Sequence, residues 1–307
     1  MAFKNAGTEI VWANEIDAHA CNTYRSHFGD NYLVEGDIKK IDADDISKLD
    51  ILTAGFPCQA FSVAGHRKGF DDERGALFFE IIRIIKAKKP RVIFIENVKN
   101  LVKHDEGKTF GSVCDCIEEC GYTVDHRIFN TKEYGNIPQN RERVYIVAFR
   151  DIADKTNYSW PEPVELKSNI ALITCPDIKV NEEFYYKIES RYYDKLNENM
   201  DKEDTIYQLR RTYVRENKNK VCPTLTANMG GGGHNVPLIR DKHGIRKLTP
   251  EECLLFQGFP KDFAFATSIS RSSRYKQAGN SVSVPVVEGI AKKIVAAMKK
   301  TDSGRIQ

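Results

Sequence analysis

Apolar residues in the first half of the chain alternate between short runs and helical stripes. The run at 91–95 (RVIFI) is β-branched and bounded by Pro90 and Asn97, which predicts a strand. Residues 76–88 carry a stripe of Leu, Phe and Ile side chains, which predicts an amphipathic helix. Similar patterns predict strands at 10–13, 50–56 and 143–149 and helices at 17–27 and 109–120. This alternation predicts a parallel sheet with helices on both faces.

The second half of the chain has weaker periodicity. Residues 158–199 are rich in Tyr, Pro, Asn and charge, and residues 205–250 are polar and glycine-rich. Thr249 and Glu252 predict a capping box, with Pro250 at the first helical position. The stretch 284–300 is amphipathic and resembles the helices of the first half. The sequence therefore predicts a large catalytic domain at 1–165 and 277–302, interrupted by a smaller domain at 166–276.

Length and composition indicate a protein with a substantial core. The chain has 307 residues, of which 41% are hydrophobic, enough for one large domain or two smaller ones. No apolar run approaches membrane-spanning length, and no charged-then-apolar leader opens the chain. We therefore expect no membrane partner and a cytoplasmic location. The formal net charge of +3 is too small to indicate a partner.

Eight cysteines occur without a repeated CxxC pair, which argues against a structural zinc site. Cys114, Cys116 and Cys120 cluster, but on a helix Cys114 and Cys116 point to different sides. The prediction is ordinary helix packing and no metal. Unpaired cysteines fit a reducing cytosol and leave one free to act as a nucleophile.

Polar residues stand at the ends of predicted strands, where ligands bind in open α/β sheets. Glu15, Cys58 and Glu96 occupy three such ends. A lone cysteine is more often a buried structural residue, so Cys58 by itself is weak evidence. Further polar clusters at 96–97, 139–143 and 277–281 favour a functional site.

These residue types suit methylation of cytosine at C5. The aromatic ring makes C5 a poor nucleophile, and a thiolate that adds at C6 gives C5 enamine character. A carboxyl group with a raised pKa, the role we assign to Glu96, can donate a proton or hydrogen bond to N3. An arginine can hold O2 of the base or the neighbouring phosphate.

Five stretches resemble, in order, the motifs of cytosine-C5 DNA methyltransferases of the bacterial restriction-modification type. They are 54–80 (AGFPCQAFSVAGHRKGFDDERGALFFE), 95–101 (IENVKNL), 134–147 (YGNIPQNRERVYIV), 246–260 (RKLTPEECLLFQGFP) and 277–291 (QAGNSVSVPVVEGIA). The resemblance implies an α/β fold with a Rossmann-like S-adenosylmethionine-dependent methyltransferase domain and a smaller inserted target-recognition domain. It also implies methyl transfer from S-adenosylmethionine, yielding S-adenosylhomocysteine, to a cytosine flipped out of duplex DNA.

The resemblance also implies roles for the catalytic residues. Cys58 corresponds to the nucleophile that bonds to C6, and Glu96 to the residue that contacts N3 and N4. Asn97 would order the adjoining turn. Arg141 and Arg143 would bind the flipped base and its phosphate, with Arg143 the better candidate for O2.

The cofactor residues are implied in the same way. Glu15 resembles the acid that binds the ribose hydroxyls, and Asp37 the acid that reads the adenine amino group. The remaining expected cofactor residues are Ile16, Ile38, Pro57, Leu77, Asn280 and Ser281. The family's N-terminal strand and glycine-rich turn are not in this sequence, since residues 1–7 resemble the helix that follows them. Weak cofactor binding is the expectation.

The inserted domain is expected to bind the DNA. Residues 205–250 carry nine cations and two anions, a net +7, which favours a phosphate-binding face over a solvated charged loop. The stretch 222–235 (CPTLTANMGGGGHN) resembles a target-recognition loop of bacterial enzymes, and its glycines allow close backbone approach. The expected DNA-binding residues are Gln59, Ser62, Arg210, Arg211, Thr224, Asn228, His234 and Asn235.

Two other functions stay open on the sequence. One is a tRNA cytosine-C5 methyltransferase, which shares the cysteine and ENV motifs. The other is a cofactor-deficient relic that binds DNA without modifying it, against which the intact Cys58, Glu96 and Arg143 argue. The resemblance further implies a monomer, a bacterial cytoplasmic location and a possible companion restriction endonuclease.

Overall fold

The computed structural model describes residues 1–57, 76–230 and 236–306. These residues divide into two compact units. The first unit comprises Met1–Phe129, Glu142–Pro161 and Val287–Gln307, and the second comprises Asn130–Arg141 and Glu162–Val286. Residues 130–141, 162–165 and 277–286, which the sequence assigns to the catalytic domain, cluster with the second unit.

Strands and helices alternate along the first half of the described chain. The strands are β1 (Ala13–Glu15), β2 (Leu33–Glu35), β3 (Ile51–Gly55), β4 (Val92–Val98), β5 (Thr123–Asn130), β6 (Gln139–Asn140), β7 (Glu142–Phe149), β8 (Tyr207–Leu209), β9 (Val214–Glu216), β10 (Cys222–Pro223), β11 (Leu238–Asp241) and β12 (Gly244–Lys247). The helices are α1 (Ala2–Asn5), α2 (Ala18–Phe28), α3 (Ala76–Lys88), α4 (Lys108–Glu118), α5 (Thr131–Tyr134), α6 (Ile152–Asn157), α7 (Ile170–Thr174), α8 (Tyr193–Asn199), α9 (Pro250–Phe256), α10 (Arg271–Asn280) and α11 (Val284–Ile306). None of the helices described is long and apolar enough to cross a membrane.

The central sheet of the first unit has the strand order β3-β4-β7-β5. Strands β3 and β4 are parallel, as expected, but β7 runs antiparallel to β4, with Val98 opposite Arg143. The prediction of a parallel sheet is therefore wrong for β7. An apolar pattern reads the same in both directions, so it cannot reveal a strand's orientation. The short strands β1 and β2 form a separate parallel pair.

Helical stripes account for the first unit's core. Helix α3 has the bounds that its stripe predicts and buries Phe78, Ile82 and Ile85 beside the apolar strands β3 and β4. Helix α2 begins after Asp17, whose side chain accepts hydrogen bonds from the next turn as an N-cap. Strand β1 starts at Ala13 rather than at residue 10, because only Ala13–Glu15 pair with β2.

The second unit is built around an antiparallel sheet of order β12-β11-β8-β9 and two apolar clusters. The predicted capping box is confirmed: the Thr249 hydroxyl accepts from the Glu252 amide, and the Glu252 carboxylate accepts from the Thr249 amide. These two bonds, with Pro250 in the first turn, define where α9 begins.

The second unit contains a buried ion triad. Arg246 is 0% exposed, and its guanidinium bonds to Asp241 at 2.6 Å and to both carboxylate oxygens of Glu252 at 2.7 and 2.8 Å. Asp241 also accepts from the amides of the β11–β12 turn. The triad therefore ties that hairpin to α9. It also removes Arg246 from the predicted phosphate-binding face, because an enclosed cation cannot reach DNA.

Arg246→Met should destabilise the second unit by about 3–5 kcal/mol, since it leaves two carboxylates buried without their cation. Urea unfolding, monitored by amide hydrogen exchange in the second unit, measures the loss of stability. Burial already raises the pKa of Glu252, and without the Arg246 cation that pKa should rise further above its unfolded value, so the carboxyl should take up a proton. Folding of the variant is then coupled to proton uptake. Its deficit in the free energy of unfolding, relative to wild type, should therefore become smaller as the pH is lowered from about 8 to about 5.

Lys242→Met is the matched control. Lys242 lies in the same hairpin turn, but both it and its partner Asp177 are exposed. Its loss should change stability little, because an exposed ion pair is screened by water. Equal losses for the two variants would show that burial of the triad contributes nothing.

Candidate functional site

Two acidic residues stand at the carboxyl ends of the parallel strands β1 and β2. Glu15 is the last residue of β1, and the amide of Gly36, just past β2, donates to the Glu15 carbonyl at 2.9 Å. The Asn14 side chain bridges the Val34 and Gly36 carbonyls at 2.9 Å each. The turn that carries Asp37 is thereby fastened to the end of β1.

Both carboxylates are oriented by main-chain amides. Oε1 of Glu15 accepts from the amides of Ile16 and Asp17 at 2.8 Å each, and Oδ1 of Asp37 accepts from Lys39 at 3.0 Å. Within the described residues, the second oxygen of each carboxylate accepts no bond. Beside them the Ile16 side chain is 66% exposed. Two oriented acceptors and an exposed apolar side chain suit a ligand with hydroxyl or amino groups and an apolar ring.

The ends of β3 and β4 lie side by side, with Gly55 opposite Glu96. Asn97 is buried, and its amide group donates to the Phe56 carbonyl at 2.9 Å, while its own oxygen accepts from Val98. The chain entering the Pro57–Cys58 dipeptide is therefore held at Phe56. Cys58 lies outside the described residues, as do Gln59 and Ser62.

Glu96 and Arg143 form an ion pair on one face of the sheet. The β4–β7 register places them two positions apart, and Nε of Arg143 is 3.2 Å from Oε1 of Glu96. Their side chains are only 17% and 13% exposed. Arg143 also donates to the Glu142 carbonyl at 2.8 Å. The pair presents a carboxylate and a guanidinium together, which suits a planar group carrying both donors and acceptors.

Arg141 has very different surroundings, although it is only two residues from Arg143. It is 3% exposed, and its guanidinium donates to the main-chain carbonyls of Leu225 at 2.9 Å and Ser281 at 2.8 Å. All three residues belong to the second unit. The sequence pairs the two arginines in one role, whereas the structure gives Arg141 carbonyl partners of its own.

The other expected cofactor residues differ in exposure and location. Ile38 begins a short 3-10 helix at Ile38–Lys40, just after Asp37. Pro57 is exposed and Leu77 half-buried in the first unit. Asn280 and Ser281 belong to the second unit, where the Ser281 hydroxyl donates to the Ala278 carbonyl at the end of α10.

The expected DNA-binding residues of the second unit lie in two places. Arg210 and Arg211 are at the exposed tip of the β8–β9 hairpin, where the Arg210 amide donates to Tyr213. The Thr224 hydroxyl donates to the Asn140 carbonyl at 2.7 Å, and the exposed Asn228 accepts from Thr226. His234 and Asn235 lie outside the described residues.

Two buried glutamines near Arg141 are absent from the residues chosen on the sequence. Gln139 and Gln257 are both fully buried, and Nε2 of Gln139 donates to the Phe256 carbonyl and to Oε1 of Gln257. Each glutamine lies within a stretch that resembles a family motif, and this position was the only sign in the sequence that it belongs to the site. Their carbonyl partners are distant in sequence and could not be inferred from it.

Burial disfavours the thiolate at several of the described cysteines. Burial raises the pKa of Cys114 to about 11 and also raises the pKa values of Cys222 and Cys253. Across the described ranges, no group of three His, Cys, Asp or Glu side chains could hold a metal ion.

The first unit thus combines strands and helices in an α/β arrangement, with oriented acids at the ends of the β1–β2 pair and a Glu–Arg pair in the four-stranded sheet. Ligand-binding side chains at strand ends are typical of Rossmann-like domains. A family model described as C-5 cytosine-specific DNA methylase matches residues 1–296. The chain belongs to this family. The family, the enzyme class and the fold class predicted from the sequence are confirmed.

Known relatives and structures agree with this assignment. The type II methyltransferase M.Bsp6I of Bacillus sp. (strain RFL6) is 52% identical over 97% of this chain and 95% of its own. The type II methyltransferase M.HhaI of Haemophilus parahaemolyticus is 36% identical over 97% and 91%. The crystal structure of S. pombe Dnmt2 methyltransferase has a TM-score of 0.70 and 21% identity over 96% of this chain and 94% of that one. That structure shares the fold.

Proposed function

We propose that the protein transfers a methyl group from S-adenosylmethionine to C5 of a cytosine flipped out of a specific duplex DNA sequence. The observation that carries this proposal is the Glu96–Arg143 pair at the sheet end where Asn97 holds the chain entering Pro57–Cys58. The first unit would then be the catalytic unit and the second the target-recognition unit. The named relatives are type II methyltransferases, and we propose the same class here, with a companion endonuclease.

The acids at the strand ends fit the cofactor. Glu15 would accept from the ribose hydroxyls and Asp37 from the adenine amino group, each through its second carboxylate oxygen, with Ile16 against the adenine ring. Bound S-adenosylmethionine would supply an electrophilic methyl group. Ile38, Pro57 and Leu77 of the first unit are proposed to bind the cofactor as well, and Asn280 and Ser281 are proposed from the sequence alone.

The chain's own residues would activate the base. The Cys58 thiolate forms a bond to C6, and the electron pair displaced from the ring makes C5 nucleophilic toward the methyl carbon. Glu96, once protonated, donates a proton or hydrogen bond at N3, and Arg143 holds O2, so the charge that develops on the ring is stabilised. After C5 loses its proton to a base, the Cys58–C6 bond breaks, which restores aromaticity and the thiolate.

Duplex DNA is the proposed substrate because cations are exposed in the second unit. Arg210 and Arg211 at the hairpin tip can contact phosphates or base edges, and Thr224 and Asn228 lie on a second exposed segment. Gln59, Ser62, His234 and Asn235 are proposed from the sequence alone.

Transfer of a labelled methyl group tests the function. Duplex plasmid DNA should become labelled and tRNA should not, and bisulfite sequencing of the plasmid should locate 5-methylcytosine at one recurring sequence. Labelling of tRNA alone would assign the protein to RNA. Binding of duplex DNA with no transfer to either would indicate a relic.

A duplex carrying 5-fluorocytosine at the mapped target should trap the enzyme covalently through Cys58. Fluorine cannot leave C5 as a cation, so the bond between sulfur and C6 persists after methylation. Peptide mapping by mass spectrometry identifies the linked residue. The same duplex with ordinary cytosine is the control, and a link to any other cysteine contradicts the assignment.

A further inference from the structure

The guanidinium of Arg141 donates hydrogen bonds to main-chain carbonyls. It follows β6, and it donates to Leu225 at 2.9 Å, to Ser281 at 2.8 Å and to Gly279 at 3.5 Å. The residue is 3% exposed. A base-binding arginine needs accessible donors, and an arginine enclosed among carbonyls has its charge offset by them instead.

The carbonyls that Arg141 holds lie on two separate segments. Leu225 precedes the exposed Thr226 and Asn228, in a stretch we call the recognition segment (residues 224–228). Ser281 ends α10, and Gln257 reinforces that end through bonds to Ala278 at 2.8 Å and Ser281 at 3.3 Å. One guanidinium thus joins the recognition segment to a helix end that other buried bonds already hold.

The recognition segment is also held by close packing. Strand β10 pairs with β6, and the Thr224 hydroxyl donates to Asn140. At Gly279 the main chain of Thr226 comes so near that a Cβ atom on residue 279 would lie 2.2 Å from the Thr226 carbonyl carbon. Because Gly279 is helical, the requirement for glycine here arises from this approach and not from backbone conformation.

We propose that Arg141 is a positioning residue, which fastens the recognition segment to the end of α10 and makes no contact with the target cytosine. This rests on the proposed function, in which the recognition segment binds DNA. Arg143 alone then supplies the guanidinium at the base. Loss of Arg141 would loosen the DNA-binding surface and leave the chemistry of a bound complex intact.

Arg141→Lys keeps the charge but cannot bond to both carbonyls as the planar guanidinium does. The KM for duplex DNA should rise about ten- to hundred-fold, with kcat changed by less than about three-fold. The reason is that the charge-assisted bonds of Arg141 hold a DNA-binding segment and do not act on the reacting base. Arg143→Lys is the matched control and should lower kcat instead. Initial rates over a range of duplex concentrations, with folding checked by thermal melting, give both constants.

A duplex with an abasic target separates the two roles directly. Arg141→Lys should weaken binding equally for abasic and cytosine duplexes, measured by fluorescence anisotropy. A loss confined to the cytosine duplex, or a fall in kcat at unchanged KM, would overturn the proposal. Wild-type protein that methylates no duplex would instead refute the proposed function.

Gly279→Ala decides the matter if Arg141→Lys does not fold. It displaces the recognition segment while Arg141 stays in place, so KM for DNA should rise and kcat should persist. Gly111→Ala is its control, because Gly111 is also helical and a Cβ there meets nothing within 4 Å. A wild-type KM in a folded Gly279→Ala protein would show that anchoring of this segment does not govern DNA binding.

Discussion

Cys58→Ser should lower methyl transfer by about 10⁴-fold or more, below detection in most assays, with duplex binding retained. A thiol with a pKa near 8.5 supplies some thiolate at neutral pH, whereas a serine hydroxyl supplies almost none. The substitution removes one sulfur and adds no bulk, so DNA contacts should survive. Methyl transfer and duplex binding by gel shift, on the same preparation, measure the two effects.

Cys175→Ser is the control for this experiment. Cys175 is a half-buried free thiol of the second unit, and its replacement should leave both measurements near wild type. Substantial turnover by Cys58→Ser would remove Cys58 from its role. The buried Cys222 and Cys253 would not replace it, because burial holds their pKa values well above the ordinary one.

Secondary structure in the first unit follows from the sequence where the apolar pattern is long. The stripe at 76–88 predicts the bounds of α3, because a helix of this length must bury one continuous face. The direction of β7 does not follow, since it depends on which strand lies beside it. The role of Arg246 does not follow from the sequence either. Its partner Asp241 was counted as a solvent-facing charge, and its partner Glu252 was predicted only as part of a helix cap.

Some contacts of the candidate site could also be predicted from the sequence, and others could not. The resemblance assigns Glu15 and Asp37 to one cofactor site, and the parallel strands β1 and β2 place them at adjacent strand ends. Strand β2 itself was not predicted from the apolar pattern, because its three residues are too few to show a period. Arg141 and Arg143 are alike in sequence and separated by one residue, yet Arg143 pairs with Glu96 while Arg141 donates to the Leu225 and Ser281 carbonyls. Arg141 precedes β7, and its carbonyl partners lie 84 and 140 positions further along the chain. No local pattern encodes contacts at such separations.

Glu96→Gln should slow methylation by about 10²- to 10⁴-fold, the usual contribution of a general acid. The amide keeps the size of the carboxylate and can still bond to Arg143, so the fold and the sheet end should be preserved. It cannot deliver a proton to N3, so addition of the thiolate at C6 loses its assistance. Single-turnover rates of methyl transfer isolate this step from product release.

Glu142→Gln provides a control of equal charge change. Glu142 adjoins Arg143 on the other face of β7, where its carboxylate forms a half-exposed pair with Lys99 at 2.7 Å. Such surface pairs contribute about 0–1 kcal/mol to folding stability, so the fold should survive their loss. The methylation rate of Glu142→Gln should therefore fall by no more than about five-fold. Affinity for S-adenosylhomocysteine, measured by calorimetry, should stay at the wild-type value in both variants. If Glu96→Gln lost cofactor affinity in proportion to rate, Glu96 would belong to the cofactor site, and the acid that assists N3 would have to be sought elsewhere.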